Sequence, residues 1–417
     1  MGRTPEKGAA MDDRSNNRMP AIVLGSGPTG LGTLRSLVLA GIPAYVACPP
    51  GDLVTRSRWY RPLPDAGWDG SLGPQALDRL GALPLARAVI IPGRDDAALW
   101  LADLPESGLA ERFLVSTSPR ACLEILQDKT RFGEYLHGTS MPHPRTFTIG
   151  CAADIAAIPF DELDRVFLKP ADSHQFIKAI GAKGVWAADR SDFEAKWRRL
   201  DRQGFKIIAQ EYVPGSAADH YFVDGFRDRS GAFAGLFARR RRRIYPADFG
   251  NSSYCDSVPL ADLGATVVNL EALLSKLRYR GIFSAEFKRD ARTGELRILE
   301  INTRAWWYVE FAARCGVNVC RMAHEDAQDH PVTSRPRAYR VGAGCVNLDD
   351  DIRAVMARGA PHAESLPRAL RQWARAHCHE FRWDDPWPAL TELWSRLWRR
   401  FAMISGRWRV RKTEVPL

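Results

Sequence analysis

Two glutamates and an asparagine lie on a pair of short apolar segments in the stretch SAEFKRDARTGELRILEIN, residues 284–302. The Thr293-Gly294 pair marks the point of reversal and predicts an antiparallel hairpin. If the hairpin turns about residue 293, Glu286 lies directly opposite Glu300. Opposed side chains in a sheet have Cβ atoms about 4.5 to 5.5 Å apart, where two like charges destabilise the pair. Asn302, two residues beyond Glu300, falls on the same face, and by the same parity so does Ile298. Two carboxylates and an amide oxygen in this pattern suit a hard divalent cation, which takes oxygen ligands and shares them with substrate phosphates. A solvated sheet face is the plainer alternative. Asn in the middle of an apolar strand and Ile298 among the carboxylates both speak against it.

Several elements must position this hairpin. Residues 20–118 alternate short apolar runs (AIVLG, IPAYVACP, AVIIP) with helical stretches, a βαβ pattern that predicts a mostly parallel sheet. A helix is expected from Pro119 to Leu136, with Ser118 as its cap. From Phe147 onward strands dominate: VFLKP, KGVWAA, KIIAQEYV, HYFVDGF, AFAGLFARR, GIFSAEFKRD and LRILEIN, with helices at Ser191–Gln203 and Pro259–Tyr279. The expected organisation is a polar leader (1–19), a Rossmann-like α/β unit (20–118), two α+β subdomains (119–215 and 216–350) and a helical basic tail (351–417).

GIFSAEFKRD followed by LRILEINTRAWWYVEFAARCGVNV resembles the metal-binding end of the ATP-grasp superfamily. Within that superfamily the chain looks most like the ATP-dependent carboligase and carboxylate–amine ligase branch, over residues 20 to 350. LGSGPTGLG and SRWYRPLPD contribute to that likeness. The resemblance implies two α+β subdomains clasping ATP beside a Rossmann-like unit. It implies a ligase that joins a small-molecule carboxylate to an amine through an acyl phosphate. Glu286, Glu300 and Asn302 would hold Mg²⁺, with Mn²⁺ as the alternative ion, and Arg304 would stabilise the acyl-phosphate and tetrahedral states. Thr303 stands where the family more often has proline.

The same resemblance extends upstream. DKTRFGEYL is similar to the family's lysine-bearing helix and brings Lys129 to the nucleotide phosphates, and VFLKP brings Lys169 to the α- and β-phosphates. The segment DSHQFIKAIGAKG matches the loop that folds over the triphosphate, with Lys178 or Lys183 as its phosphate contact. IIAQEYVPG matches the adenine hinge, which implies Glu211, Tyr212 and Val213 at the base and Asp219 at the ribose. The arginine run at 239–243 lies on a strand whose alternation turns Arg239, Arg241 and Arg243 one way. Of these the resemblance favours Arg243 as the basic residue toward triphosphate or acceptor carboxylate, then Arg241; the other arginines are expected in water and nucleic acid is not the expected partner.

A rival enzyme class arises from Gly25, Gly27 and Gly30, which have the G-x-G-x-x-G spacing of a dinucleotide turn. An NAD enzyme needs an acid at the end of the second strand. Here that strand ends at Cys48, and Asp52 follows two prolines and a glycine. The glycine turn is then a trace of the fold, with an anion site at its helix N-terminus as the residual use. A non-catalytic nucleotide-binding or membrane-surface protein is the rival from another class; retention of Glu286, Glu300, Asn302 and Arg304 together argues against it.

No apolar run reaches the roughly 18 to 20 residues of a membrane span. The eight scattered cysteines, with no C-x-x-C pair, fit reduced thiols and a cytoplasmic setting. Net charge is +10, and residues 366–417 carry eleven Lys/Arg against five Asp/Glu, so +6 of it belongs to the tail. In that tail Leu390, Leu393, Trp394, Leu397, Trp398, Phe401 and Ile404 recur at helical spacing, with Arg396, Arg399 and Arg400 largely off the stripe. Docking on the protein's own body is the expectation, and peripheral membrane contact is the alternative. HCHE (377–380) is expected at the surface, Trp306 and Trp307 line either the pocket or the core, and the sequence leaves the oligomeric state open, a homodimer being common among the proteins it resembles.

Overall fold

The computed structural model describes residues 18–64, 67–163, 165–170, 176, 179–181, 184–247, 250–333, 338–357 and 364–404. Four short apolar runs, β1 (Ala21–Leu24), β2 (Ala44–Ala47), β3 (Ala88–Pro92) and β4 (Phe113–Leu114), form a parallel sheet in the order β2-β1-β3-β4. β1 and β3 are buried at every position, which is why they read as continuous rather than alternating apolar runs. Helix α1 (Gly27–Leu39) crosses from β1 and is buried from Thr29 to Leu37. Its buried hydroxyls are satisfied within the helix: Thr33 donates to the Thr29 carbonyl at 2.8 Å and Ser36 to that of Gly32 at 2.7 Å. Helix α2 (Asp95–Leu101) follows β3, its two acids at the N-terminal turn. Helix α3 (Lys129–His137) starts at Asp128, whose carboxylate accepts from the Thr130 and Arg131 amides.

Two antiparallel-rich sheets carry the rest. The smaller comprises β5 (Thr146–Ile149), β6 (Val166–Pro170), β7 (Val185–Ala187) and β8 (Ile207–Glu211), in the order β5-β8-β6-β7. The larger comprises β9 (His220–Arg227), β10 (Phe233–Tyr245), β11 (Asn251–Ser257), β12 (Gly281–Arg289), β13 (Leu296–Asn302), β14 (Gly344–Val346) and β15 (His377–Cys378). Its order is β13-β12-β9-β10-β11-β14-β15, antiparallel except for the last pair. One face of β12 and β13, through Phe283, Phe287, Leu296 and Ile298, packs on a core shared with Leu270 and Leu274. The opposite face carries the charged residues.

Helix α4 (Val309–Cys315) follows β13, and α5 (Trp387–Ile404) ends the described chain. Between them, residues 377–385 strap onto α1 through a buried charge cluster. Arg35, fully buried, donates to Asp385 at 2.9 Å and to the His379 and Glu380 carbonyls, and lies 3.6 Å from the Glu310 carboxylate. Ser57 and the Arg58 amide complete the shell of Asp385. A desolvated guanidinium persists only where its donors are so fully used.

Candidate active site

In the β12–β13 ladder Glu286 is directly opposite Glu300 and Ser284 is opposite Asn302. The register then slips: Phe287 faces Ile298, so Leu299 is the additional residue of a β-bulge. The bulge overturns simple parity for Ile298. That side chain is 1% exposed in the core beside Phe287, while Glu300 and Asn302 keep the glutamate face.

β9 and β10 complete this face. Phe222 pairs with Glu286, His220 with Lys288 and Arg239 with Phe222. The Arg241 guanidinium lies 3.3 Å from a Glu286 oxygen and donates through Nε to Ser252 at 2.9 Å. His220 Nδ1 is 2.9 Å from the same glutamate oxygen. Burial, reinforced by Arg241, pushes the His220 pKa down to about 4, so the ring is neutral near pH 7 and must carry its proton on Nδ1 to donate there. Burial and Arg241 also bring Lys288 down to about 8, and its ammonium reaches the Tyr212 hydroxyl at 3.2 Å, 4.3 Å from the ring centre. The site thus opposes two carboxylates to two desolvated cations. Arg241 offsets part of the Glu286–Glu300 repulsion.

At the far end of β13, Arg304 bridges outward. It donates to Asn302 Oδ1 at 3.3 Å and to Asp95 of α2 at 3.0 Å, joining the hairpin to the N-terminal sheet unit. The neighbouring Thr303 accepts from Gln127 at 2.8 Å, which accounts for a threonine where proline is commoner.

The residues that the resemblance assigned to the nucleotide fall on the smaller sheet and its exit, with Lys129 on α3. Lys169 on β6 donates to Gln210 at 2.8 Å, and Lys129 is the first residue of α3. Tyr212 packs edge-on against Trp186 at 5.1 Å and faces Lys288. Val213 is buried. Asp219 accepts from the Ser216 amide and hydroxyl, both at 2.7 Å, and so closes its own turn. Glu211 is turned away from the hinge: its carboxylate accepts from the Arg145 amide and pairs with Arg292 at 3.0 Å and Arg297 at 3.2 Å. Burial alone would raise its pKa, but the Arg145 amide and the two guanidiniums outweigh that and hold it low. This side chain is a strut between the two sheets, and only its backbone remains for a base. Lys178 and Lys183 lie outside the described residues.

The arginine run alternates as expected but its partners differ from expectation. Arg243 does not reach the carboxylate pair: it forms a buried fork on Asp351 at 2.6 Å, with Glu364 and Gln372 alongside and the Tyr254 ring 4.6 Å away. A register shift at Arg242 on β10 carries the chain past the site between Arg241 and Arg243. Of the others, Arg239 is not solvated but buried on Asp224 at 2.7 Å, while Arg242 is partly exposed and pairs with Asp256 at 2.8 Å. Arg241 is therefore the arginine of this strand that meets Glu286. Arg241 was already the second candidate of the run and Lys288 shares the Glu286 face by parity, whereas His220 is brought there only by the packing of β9 between β10 and β12.

Three further expectations change. The glycine turn is not an open anion site, because the Gly27 amide donates to both Asp52 carboxylate oxygens at 2.9 and 3.0 Å. Gly25 and Gly30 serve close approach: a Cβ on Gly25 would meet Gly93 Cα at 3.1 Å, and one on Gly30 would meet the Gly25 carbonyl at 2.8 Å. His379 is buried and stacked on Trp307 at 6.1 Å, with Tyr308 beside it, while Trp306 belongs to the core.

No protein-family model matches the chain. Over 227 residues it is 24% identical to the D-aspartate ligase of Enterococcus faecium (strain Aus0004), a match covering 52% of this chain and 53% of that protein. The matched region thus spans about half the length of this curated relative. Among solved structures, the biotin carboxylase domain of Hydrogenobacter thermophilus 2-oxoglutarate carboxylase, in complex with MgADP, ADP and bicarbonate, superposes with a TM-score of 0.58 at 15% identity. It covers 79% of this chain and 74% of that one. An L-amino acid ligase from Bacillus licheniformis gives 0.52 at 15% identity, covering 77% and 78%. The chain has the ATP-grasp fold.

Among the described residues there is no group of three or more His, Cys, Asp or Glu able to hold a metal by themselves. Glu286 and Glu300 with the Asn302 oxygen are a partial oxygen set. That is the donor chemistry Mg²⁺ accepts when phosphates supply further ligands, so the residues present fit such an ion.

Proposed function

We propose that this protein is an ATP- and Mg²⁺-dependent ligase that joins a carboxylate to an amine through an acyl phosphate. The observation that carries the reading is the in-register Glu286–Glu300 pair, with Asn302 beside it, on the sheet face that also holds Arg241 and Lys288. Like charges held together at this spacing are costly unless their use is to share a cation. Support also comes from the ATP-grasp fold, from a relative named as a D-aspartate ligase and from a neighbour in complex with MgADP.

In this reading Glu286, Glu300 and Asn302 hold Mg²⁺, or Mn²⁺ on the same oxygen donors, and the ion when bound neutralises charge on the polyphosphate. Lys129, Lys169 and Lys288 balance the triphosphate, and Tyr212, Val213 and the Glu211 backbone border the base, with Asp219 toward the ribose. Arg241 takes the role the sequence assigned to Arg243. A substrate carboxylate oxygen attacks the γ-phosphorus and ADP leaves with the bridging oxygen. The amine nitrogen then attacks the acyl carbon, and inorganic phosphate departs. Arg304 stabilises the charge that grows on the acyl phosphate and the tetrahedral state; its salt bridge to Asp95 holds it at that end of the site until substrate arrives. The reading takes the protein as a cytoplasmic homodimer.

The test is a coupled ADP-release screen over amino acids and small carboxylates, with D-aspartate in the panel and mass spectrometry of the product. A Mg²⁺-dependent condensation product, lost in Glu300→Ala, is the expected result. Equal ADP release with and without Mg²⁺, or equal release in Glu300→Ala, overturns the assignment.

A further inference from the structure

Helix α5 does not bury the described part of the stripe that the sequence suggested it would; the side chains of Leu397, Phe401 and Ile404 lie outside the described residues. Trp387, Leu390, Leu393, Trp394 and Trp398 are 60%, 46%, 56%, 70% and 67% exposed, and Trp383 just before the helix is 91% exposed. At 100° per residue, the five helical positions fall within an arc of about 140°. The opposite side of the first turn is anchored: Pro388 is buried, the helix packs on the short turn Leu53–Arg56, and the preceding Asp385 is locked to Arg35. The stripe is thus held outward by a rigid attachment at one end of the helix. Large apolar surface clustered in this way on a folded chain marks an interaction site.

The chemistry of the occupant is written in the residue types. Four of the six side chains are tryptophan, the residue that settles at the headgroup level, with an apolar ring and one N–H donor. From Trp387 to Leu417 the sequence carries seven Lys/Arg against two Asp/Glu. A protein partner also uses tryptophan and arginine at its contact, so it is the net cation excess along the whole segment that selects a broad anionic surface. An anionic lipid surface uses both features. Among the described residues no helix is long and apolar enough to cross a membrane, so α5 would lie in the interface plane.

We propose that the exposed face of α5 docks this protein on an anionic phospholipid surface, with Trp387, Trp394 and Trp398 entering the headgroup layer. Docking does not depend on the ligase reading, since it uses none of the carboxylate face.

The full-length protein is mixed with phosphatidylcholine vesicles prepared with and without phosphatidylglycerol and floated on a density gradient. The expected result is flotation with the phosphatidylglycerol vesicles, weakened as salt is raised. In Trp394→Ser/Trp398→Ser the partition coefficient falls by about tenfold or more. Both residues are exposed, so the thermal melting profile of the variant should match the parent and separate loss of docking from loss of fold. Failure of the parent to float, or equal flotation of the double variant, overturns the proposal. So does light scattering that shows a dimer split by the same substitutions, because that assigns the face to a second copy of the chain.

Discussion

Glu300→Gln should push stability and nucleotide binding in opposite directions. Glu286 and Glu300 are directly opposed, and Glu286 is only 17% exposed. Two unit charges about 6 Å apart repel by about 0.7 kcal/mol in water and about 3 kcal/mol at an effective dielectric near 20. Arg241, 3.3 Å from Glu286, cancels part of this and leaves a net cost of about 1 kcal/mol. Glutamine keeps the shape and removes the charge, so the ligand-free variant should melt about 1–2 °C above the parent. The parent, with ATP and Mg²⁺ at about 100 times Kd, should gain about 2.7 kcal/mol, and the variant should lose most of that gain. Differential scanning fluorimetry with and without ATP·Mg²⁺ measures both effects. A ligand-free variant that melts below the parent, or one that keeps the full ATP·Mg²⁺ shift, refutes the argument that the pair is held together for a shared cation.

Three other outcomes follow from the same geometry. Arg241→Met should keep the fold and lower kcat by about 10²-fold or more, whereas Arg243→Met strands the buried Asp351 and should cost about 3–5 kcal/mol in denaturant unfolding; a reversed pattern restores Arg243 to the site. Lys288 titrates at about 8 in the folded chain against 10.5 unperturbed, so the unfolded chain binds the extra proton between these values and ligand-free stability should rise with pH across that window. A polyanion favours the charged ammonium, so ATP affinity measured calorimetrically should fall as pH rises through about 8, and Lys288→Met should flatten that fall. Arg35→Met leaves Asp385 without its buried guanidinium, while Glu310 keeps Arg314 and Arg382; limited proteolysis should then cut the 377–385 strap far faster than in the parent.

Much of the site could be read from the sequence because strand geometry is local. The Thr293-Gly294 reversal and a period of two were enough to oppose Glu286 to Glu300 and to put Asn302 opposite Ser284's row. The parallel pairing of the N-terminal strands followed from continuous apolar runs separated by helical ones. The alternation of the arginine run was equally legible, since Arg239, Arg241 and Arg243 are all buried.

What the sequence by itself determined was therefore the pattern along each strand, which depends on backbone periodicity and turn chemistry. The tertiary structure decided what each pattern meets. The bulge at Leu299 sent Ile298 to the core, because packing beside Phe287 outweighed simple alternation. A register shift on β10 gave Arg243 to Asp351 and left Arg241 on Glu286. Asp52 returned across two prolines to cap the glycine turn, and Glu211 turned from the hinge toward Arg292 and Arg297. For the charged groups the deciding partner lies 25 to 108 residues away. Desolvation makes a buried charge take whichever opposite charge the fold brings within reach, and no window of sequence contains that choice.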